Sequence, residues 1–274
     1  MILHTIAELT KGTVLHRPSK VCKTPYVADV ETKSKTNILA HSPSLGCCGL
    51  ADKESTVLLS NTNGGKCTMR IDLSIQTDSQ FPDKQTIVGI NPKLGETIAE
   101  NALKGGCIHD LKNIKSYERE KTFLNSRFDF WGIDENDREF IMEVKSVPLA
   151  DYVDVAKKDR HKYADEISSK QYHQKIAYFP DGYRKNQKDA VSPRALKHIQ
   201  ELEEIVTTTD KRAILCFIVQ RGDANAFTTS VIDPIYKKAV RKAFKAGVEI
   251  KTIQVQWDAD GNCHFVRNNL TIIL

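Results

Sequence analysis

Alternation of hydrophobic and polar residues is clearest in two segments near the middle of the chain. Residues 126–131 read Ser-Arg-Phe-Asp-Phe-Trp, and residues 140–145, after a polar turn, read Phe-Ile-Met-Glu-Val-Lys. Side chains of a strand point alternately to its two faces. The second segment therefore has two predicted faces: Phe140, Met142 and Val144, and Ile141, Glu143 and Lys145. The hydrophobic residues around the charges predict that both segments are inner strands of a sheet.

The first 85 residues alternate short strand-like segments with tight turns. The predicted strands are residues 26–30, 38–41, 56–60 and 69–75. In the last of these, Met69, Ile71, Leu73 and Ile75 are predicted to face inward. Asn63-Gly64-Gly65 supplies residues that tolerate positive φ, which favours a hairpin between the last two strands. Several short strands without a helix predict a small β-barrel.

After residue 85 the pattern changes to helices alternating with strands, which is typical of α/β proteins. An apolar stripe from Leu94 to Leu103 predicts a helix that ends at Gly105-Gly106. Ser192-Pro193 and Asp233-Pro234 each combine an N-cap residue with a first-turn proline, so each predicts a helix start. Residues 213–219 are all apolar, as expected of a central strand that is buried on both faces.

The two central strands carry the candidate chemistry. Asp129 and Glu143 would supply hard oxygen ligands for Mg²⁺. Lys145 would orient the attacking water and offset charge on a phosphodiester during hydrolysis. Glu-x-Lys on a strand is also typical of an exposed ion pair worth about 0–1 kcal/mol, and that alternative stays open on spacing alone. The hydrophobic flanks favour a functional role, since charges on inner strands usually have one.

The same residues resemble the signature of the sugar fermentation stimulation protein A (SfsA) family. The matching segments follow the family's order over about residues 15–255: 26–30, 126–130, 141–150, 178–181, 196–202, 232–236 and 246–250. The resemblance implies a mixed α/β fold, with an N-terminal OB-like β-barrel followed by a nuclease-like domain of the PD-(D/E)xK type and with DNA binding as the associated activity. We therefore predict a barrel over residues 1–85 and a nuclease-like domain over 86–274.

The resemblance also implies further site residues. Glu100, on the predicted helix before the first strand, aligns with an acid that completes the metal site in related nucleases; a solvated helix glutamate is the alternative. Glu118 is a further acidic candidate. Mg²⁺ is the implied cofactor, and Mn²⁺ is possible. Lys197 and His198 match a Lys-His pair of the family, and His198 could contact a phosphate or relay a proton.

A basic insertion, at about residues 151–190, departs from the family pattern. Between Lys157 and Lys188 there are nine Lys or Arg residues against four acids, with tyrosines interleaved. This mixture suits phosphate contact and base stacking, although a solvated surface loop would look the same. The predicted nucleic-acid contacts are Arg127, Lys157, Lys158, Arg160, Arg184, Lys185, Lys197 and His198.

Composition restricts the predicted location and partners of the protein. The longest strictly apolar run has seven residues, far short of the ~20 needed for a membrane span, and no secretory signal is visible at the start. Seven cysteines without a Cys-x-x-Cys pair indicate reduced thiols. We therefore predict a cytoplasmic protein (a nuclear location is possible) with no membrane partner. A net charge of +5 permits nucleic-acid binding without requiring it.

Three functions remain in competition. The first is a Mg²⁺-dependent nuclease, endo or exo, acting on DNA. The second is a DNA-binding regulatory protein on a nuclease fold without catalysis. The third is an interaction module in which the acids only pair with Arg127 and Lys145. The intact set of Asp129, Glu143 and Lys145 favours the first, because a pure binder of DNA has no need for clustered acids that repel phosphate. Oligomeric state and the choice between DNA and RNA stay open.

Overall fold

The computed structural model describes residues 1–35, 37–43, 49–180 and 189–274. Two of the predicted nucleic-acid contacts, Arg184 and Lys185, lie outside the described residues. The helices are α1 (Pro92–Lys104), α2 (Ala164–Ser168), α3 (Pro193–Thr208) and α4 (Pro234–Ala246). The strands are β1 (Ile2–Thr5), β2 (Thr10–His16), β3 (Val27–Thr32), β4 (Ile38–His41), β5 (Thr56–Asn61), β6 (Met69–Thr77), β7 (Gln85–Gly89), β8 (Ser116–Phe123), β9 (Ser126–Ile133), β10 (Glu139–Val147), β11 (Ala150–Asp151), β12 (Lys175–Phe179), β13 (Arg212–Val219), β14 (Ala224–Thr229), β15 (Glu249–Trp257), β16 (Asn262–Arg267) and β17 (Thr271–Ile273).

The first part of the chain forms the predicted barrel. Strands β4, β3, β2, β5 and β6 are hydrogen-bonded in that order, and β6 pairs back to β4, which closes a ring of five strands. Strand β7 extends the sheet from β6. The β5–β6 hairpin carries the predicted Asn-Gly-Gly turn, and the Thr62 N–H donates to the Thr68 carbonyl across it at 3.0 Å. The prediction of a mixed α/β protein with a small barrel is therefore confirmed.

One detail of the barrel prediction is wrong. Met69 and Ile71 point into the barrel core, as expected, but Leu73 packs into the core beneath α1. The β5–β6 register shifts between Leu58 and Leu59, so Asp72 is an extra residue on β6. A slip of one residue turns every later side chain to the opposite face. Strand β6 therefore serves two cores, one on each side of this bulge.

The second part is built on a seven-stranded sheet with the order β1-β16-β15-β13-β10-β9-β8. The central strands β10, β13 and β15 are parallel, and every residue of β13 is buried, as its apolar sequence predicted. Helix α1 covers one face and helices α3 and α4 the other. Strand β1 joins this sheet by pairing with β16. The barrel strands run from β2 to β7, and the predicted domain boundary at residue 85 stays a prediction.

The helix starts follow the predicted signals. The Ser192 side chain accepts from the Ala195 N–H at 3.3 Å, and Asp233 accepts from the Tyr236 N–H at 3.1 Å. Gly247 ends α4 with φ of +111°, a left-handed conformation that suits glycine. These caps fix the ends of the two helices that cover the α3/α4 face of the sheet. Within the described part of the chain, no helix is both long and apolar enough to cross a membrane.

The first half of the basic insertion packs against the barrel. It contains a 3₁₀ segment (Lys157–Tyr163) and α2, and it leads into β12 of a second, four-stranded sheet, β11-β12-β14-β17. The Gln80 amide donates to the Lys170 carbonyl at 2.7 Å, and Tyr172 lies edge-on to Phe81 with ring centroids 6.1 Å apart. Tyr172, one of the tyrosines interleaved with the basic residues, thus helps to join the barrel to the rest of the molecule.

Candidate active site

The two central strands bring Asp129 beside Glu143. Phe128 packs on the α3 side of the sheet, whereas Phe130 belongs to the core beneath α1, so β9 turns over between them at Asp129. The antiparallel ladder of β9 with β10 ends at the pair Phe130–Met142. Beyond it, Asp129 Oδ2 accepts the Val144 N–H at 2.6 Å. A carboxylate thus occupies the position where a backbone carbonyl would otherwise continue the sheet.

Glu143 is almost fully buried, with 3% of its surface exposed. Its Oε1 atom accepts hydrogen bonds from Lys145 Nζ and from His198 Nδ1 on α3. Burial acts to raise the pKa of Glu143, but the His198 hydrogen bond and the Lys145 charge outweigh it, so the pKa lies below its usual value. The second oxygen, Oε2, is buried without a hydrogen-bond partner among the described residues. A buried carboxylate oxygen of this kind is costly unless it serves another purpose.

Asp129 has the opposite electrostatic balance. Burial and the negative charge of Glu143 raise the pKa of Asp129 to about 7, against the opposing effects of the Val144 N–H and Lys145. Near neutral pH this aspartate therefore lies between its charged and neutral forms. A cation placed between the two carboxylates would remove the repulsion that raises this pKa.

Two glutamates of α1, the predicted metal ligand Glu100 and Glu96, both contact Arg119 of β8. Glu100 accepts from the Tyr117 hydroxyl at 2.8 Å and from Arg119 at 2.9 Å, which ties it to β8. Glu96, one turn earlier on α1, also pairs with Arg119, at 3.2 Å, and its charge contributes to the raised pKa of Asp129. The sequence reasoning missed Glu96. The available signal was the four-residue spacing, which puts both glutamates on one helix face. A metal-binding role for Glu100 stays a prediction.

The carboxylates of Asp129 and Glu143 suit Mg²⁺ better than a metal that requires three or more protein side chains. Among the described residues, no three His, Cys, Asp or Glu side chains are clustered as metal ligands. Mg²⁺ keeps several of its waters and is usually bound by one or two carboxylates. Asp129, and Glu143 with its unpartnered Oε2, could provide that number.

Three predicted phosphate contacts lie around this site with different exposures. His198 is only 4% exposed and faces Glu143. Lys197 is exposed and donates to the Asn125 carbonyl at 2.6 Å. Arg127 is exposed and pairs with Glu120 at 3.2 Å. Lys197 and Arg127 are thus accessible to a polyanion, whereas His198 is enclosed between α3 and the sheet.

A cleft of about 320 Å³ lies between the barrel and the region after β10, and two of the three remaining predicted contacts that the structure describes line it. Lys157 and Arg160 line this cleft together with Asp78 of the barrel. Arg160 makes a two-pronged ion pair with Asp151, at 2.8 and 3.1 Å. Lys157 and its neighbour Lys158 are exposed and form no ion pair with any residue that the structure describes. These two lysines are therefore available for phosphate contact.

The floor of the cleft holds a buried set of charges that sequence reasoning did not identify. Lys175 Nζ lies 2.5 Å from both Asp78 Oδ2 and Asp223 Oδ2. Arg221 pairs with Asp223 at 2.6 and 2.8 Å, and the Tyr152 hydroxyl donates to Asp78 at 3.0 Å. We call these five residues the interface ion cluster, since Asp78 follows β6 of the barrel and the others belong to the second part. No local sequence signal distinguishes Lys175 from the exposed lysines around it.

Comparison with known proteins identifies relatives over nearly the whole chain. The family model described as "Sugar fermentation stimulation protein RE domain" matches residues 93–157 and 151–261. The sugar fermentation stimulation protein homolog of Geobacter sp. (strain M21) is 32% identical over 248 residues, which cover 88% of each chain. The homolog of Clostridium perfringens (strain 13 / Type A) is 30% identical over 252 residues, again 88% of each chain.

A solved structure has the same fold. The structure of Pyrococcus furiosus SfsA in complex with Ca²⁺ superimposes with a TM-score of 0.76 at 20% sequence identity, covering 100% of both chains. Together with the family model and the relatives at 30% identity or more, this confirms the resemblance carried by the residues around Asp129 and Glu143. The chain belongs to the sugar fermentation stimulation protein (SfsA) family.

Proposed function

We propose that the protein is a nuclease that depends on a divalent cation, acts on DNA and uses Asp129 and Glu143 as its cation ligands. The observation that carries the proposal is the buried Glu143 carboxylate with an unpartnered Oε2, next to an aspartate whose pKa is raised to about 7. Two repelling acids within a sheet are unfavourable for folding alone. A cation of the Mg²⁺ or Mn²⁺ type would satisfy both.

Each residue has a role in this proposal. A bound Mg²⁺ would supply Lewis-acid activation of the phosphodiester and of a water nucleophile. Lys145, whose Nζ lies at Glu143, offsets negative charge on the phosphate as water attacks. Glu96 on α1 adds negative charge near Asp129, and Glu100 is the further metal ligand that the family resemblance implies. Exposed basic side chains of the protein hold the nucleic acid by contacting its phosphates. They are Arg127, Lys157, Lys158 and Lys197, with Arg160 at the cleft.

The Pyrococcus relative contains a cation with the same ligand preference. That protein was solved with Ca²⁺, and Ca²⁺, like Mg²⁺, prefers oxygen ligands. The donors available at Asp129 and Glu143 are of the same chemical kind. Location in the cytoplasm or nucleus stays a prediction from the sequence.

A non-catalytic DNA-binding protein is the second candidate. The observation that favours it is that Lys145 and His198 already donate to Glu143 Oε1 within the protein. In that case Lys145 and His198 would be permanent partners of Glu143, and the exposed lysines alone would account for the function.

Cleavage of labelled single- and double-stranded DNA and RNA, with Mg²⁺, Mn²⁺ or EDTA, tests the proposal. We expect metal-dependent cutting by the wild type, and a loss of about 100-fold or more in Glu143→Gln and Lys145→Met. Glu54→Gln is the matched control, because Glu54 is an exposed acid before β5 whose side chain pairs only with Lys53 among the described residues. Nucleic-acid binding without cutting, unchanged in all variants, would contradict the nuclease and favour the binding protein.

A further inference from the structure

His198 is placed to act on Glu143 and not on a ligand in solvent. It is 4% exposed, and its ring packs against Phe128 with centroids 5.7 Å apart. Its Nδ1 atom meets Glu143 Oε1. Since an ionised carboxylate only accepts hydrogen bonds, Nδ1 carries the hydrogen. The interaction is therefore directed from the buried side of the sheet into the candidate site.

The two carboxylate oxygens of Glu143 differ in their hydrogen bonding. Lys145 and His198 both donate to Oε1, while Oε2 has no partner among the described residues. Shared equally, the same two donors would satisfy both oxygens. Placing both on Oε1 leaves one buried acceptor unsatisfied, which is unfavourable unless another group binds it.

Of these two donors, His198 is the one that can fix the direction of the carboxylate. A lysine ammonium has three donors on a flexible stem and can follow either oxygen. The imidazole belongs to α3, whose N-cap Ser192 and buried Ile199 and Leu202 hold the helix on the sheet. Its single Nδ1–H direction is thus set by packing, and Oε1 is the atom that it engages.

We infer that His198 is a positioning residue. It holds Glu143 Oε1 from behind, so that Oε2 stays available to a divalent cation on the Asp129 side. This rests on the proposed function, because it assigns a role to His198 only if the carboxylates bind a cation. Partners that orient ligating carboxylates typically change metal affinity by about 10–100-fold when removed.

The experiment is calorimetric titration of Ca²⁺ into the full-length protein at pH 8, without nucleic acid. His198→Phe keeps a ring against Phe128 but lacks the donor, and His198→Asn keeps a donor near the position of Nδ1. We expect the dissociation constant for Ca²⁺ to rise by about 10–100-fold in the Phe variant and by less than about threefold in the Asn variant. Thermal unfolding of each variant checks that it is folded, and His198→Leu replaces His198→Phe if the larger ring is not accommodated.

The outcomes separate the two proposals. If the wild type binds Ca²⁺ and the variant without the donor binds it equally well, the role of His198 is overturned while the cation site stands. If the Asn variant is folded but as weak as the Phe variant, the donor is not what matters, and the inference is likewise overturned. If the wild type does not bind Ca²⁺, the proposed cation site itself fails.

Discussion

Two buried groups of charges in this protein have opposite electrostatic character. In the interface ion cluster, cations and acids alternate, and Asp78 and Asp223 both contact Lys175. In the β9/β10 carboxylate pair, formed by Asp129 and Glu143, the two acids are neighbours and one oxygen is left without a partner. The pKa of Asp223 is lowered because Arg221 and Lys175 outweigh its burial, whereas the pKa of Asp129 is raised.

The two groups differ in what they leave available to a ligand. A group of charges that is satisfied within the protein holds two parts of the chain together and has nothing left to offer a ligand. The carboxylate pair is incomplete within the protein, and a cation would complete it. Perturbed acids of this kind are found most often at functional sites.

Breaking the interface ion cluster should give the largest effect. Lys175→Met leaves Asp78 and Asp223 buried with one cation fewer, so we expect the free energy of unfolding to fall by about 3–5 kcal/mol. Urea denaturation at pH 7 measures this. Lys170→Met is the control, because the Lys170 side chain pairs only with Glu166 among the described residues, and it should change stability by less than about 1 kcal/mol. A loss that small for Lys175→Met would mean that the cluster does not hold the barrel in place.

Replacing Asp129 with a neutral side chain should instead increase the free energy of unfolding near neutral pH. The folded-state pKa of Asp129, about 7, lies above its unfolded value. The contribution of Asp129 to stability therefore falls as pH rises from about 4 to about 7 and stays at the lower level above that. Asp129→Asn removes this loss, so it should be more stable than the wild type by about 1–3 kcal/mol at pH 8 and show no such gain below pH 4.

Thermal or urea unfolding across pH 4–8 measures the difference between this variant and the wild type. Glu118→Gln, on the neighbouring strand β8, is the control and should show no trend with pH. A constant difference between Asp129→Asn and wild type at every pH would contradict the raised pKa. Asp129 would then be an acid whose charge is balanced within the protein, as the charge of Asp223 is.

The smallest expected effect distinguishes the two acids of α1. Because the charge of Glu96 contributes to the raised pKa of Asp129, Glu96→Gln should lower that pKa slightly. Glu100→Gln should leave it nearly unchanged, since Glu100 is engaged by Tyr117 and Arg119. Carboxyl chemical shifts followed by NMR through a pH titration measure both. A larger change of the Asp129 pKa in Glu100→Gln than in Glu96→Gln would instead identify Glu100 as the α1 acid that faces the site.

Local signals in the sequence predicted much of the fold. The caps at Ser192 and Asp233, the apolar strand at residues 213–219 and the two faces of β10 depend on nearest neighbours along the chain, and the structure confirms them. The proximity of Asp129 to Glu143 was predictable for the same reason, since a hairpin pairs adjacent strands.

Other features depend on contacts that are distant in sequence. The bulge at Asp72 appears only when β6 is paired with β5, and the burial of Lys175 depends on Asp78, nearly a hundred residues earlier. The turnover of β9 at Asp129 and the inward position of His198 likewise follow from packing against α1 and α3. Residue type and spacing do not distinguish these positions from exposed ones.

The most direct test of the central claim is to locate a bound cation. Crystals soaked in Mn²⁺ would be measured for anomalous scattering. The account predicts a peak between Asp129 and Glu143, within coordination distance of Glu143 Oε2, and no peak there in crystals of Asp129→Asn grown and soaked in the same way. A fully occupied peak elsewhere, with Glu143 still bound only to Lys145 and His198, would contradict it.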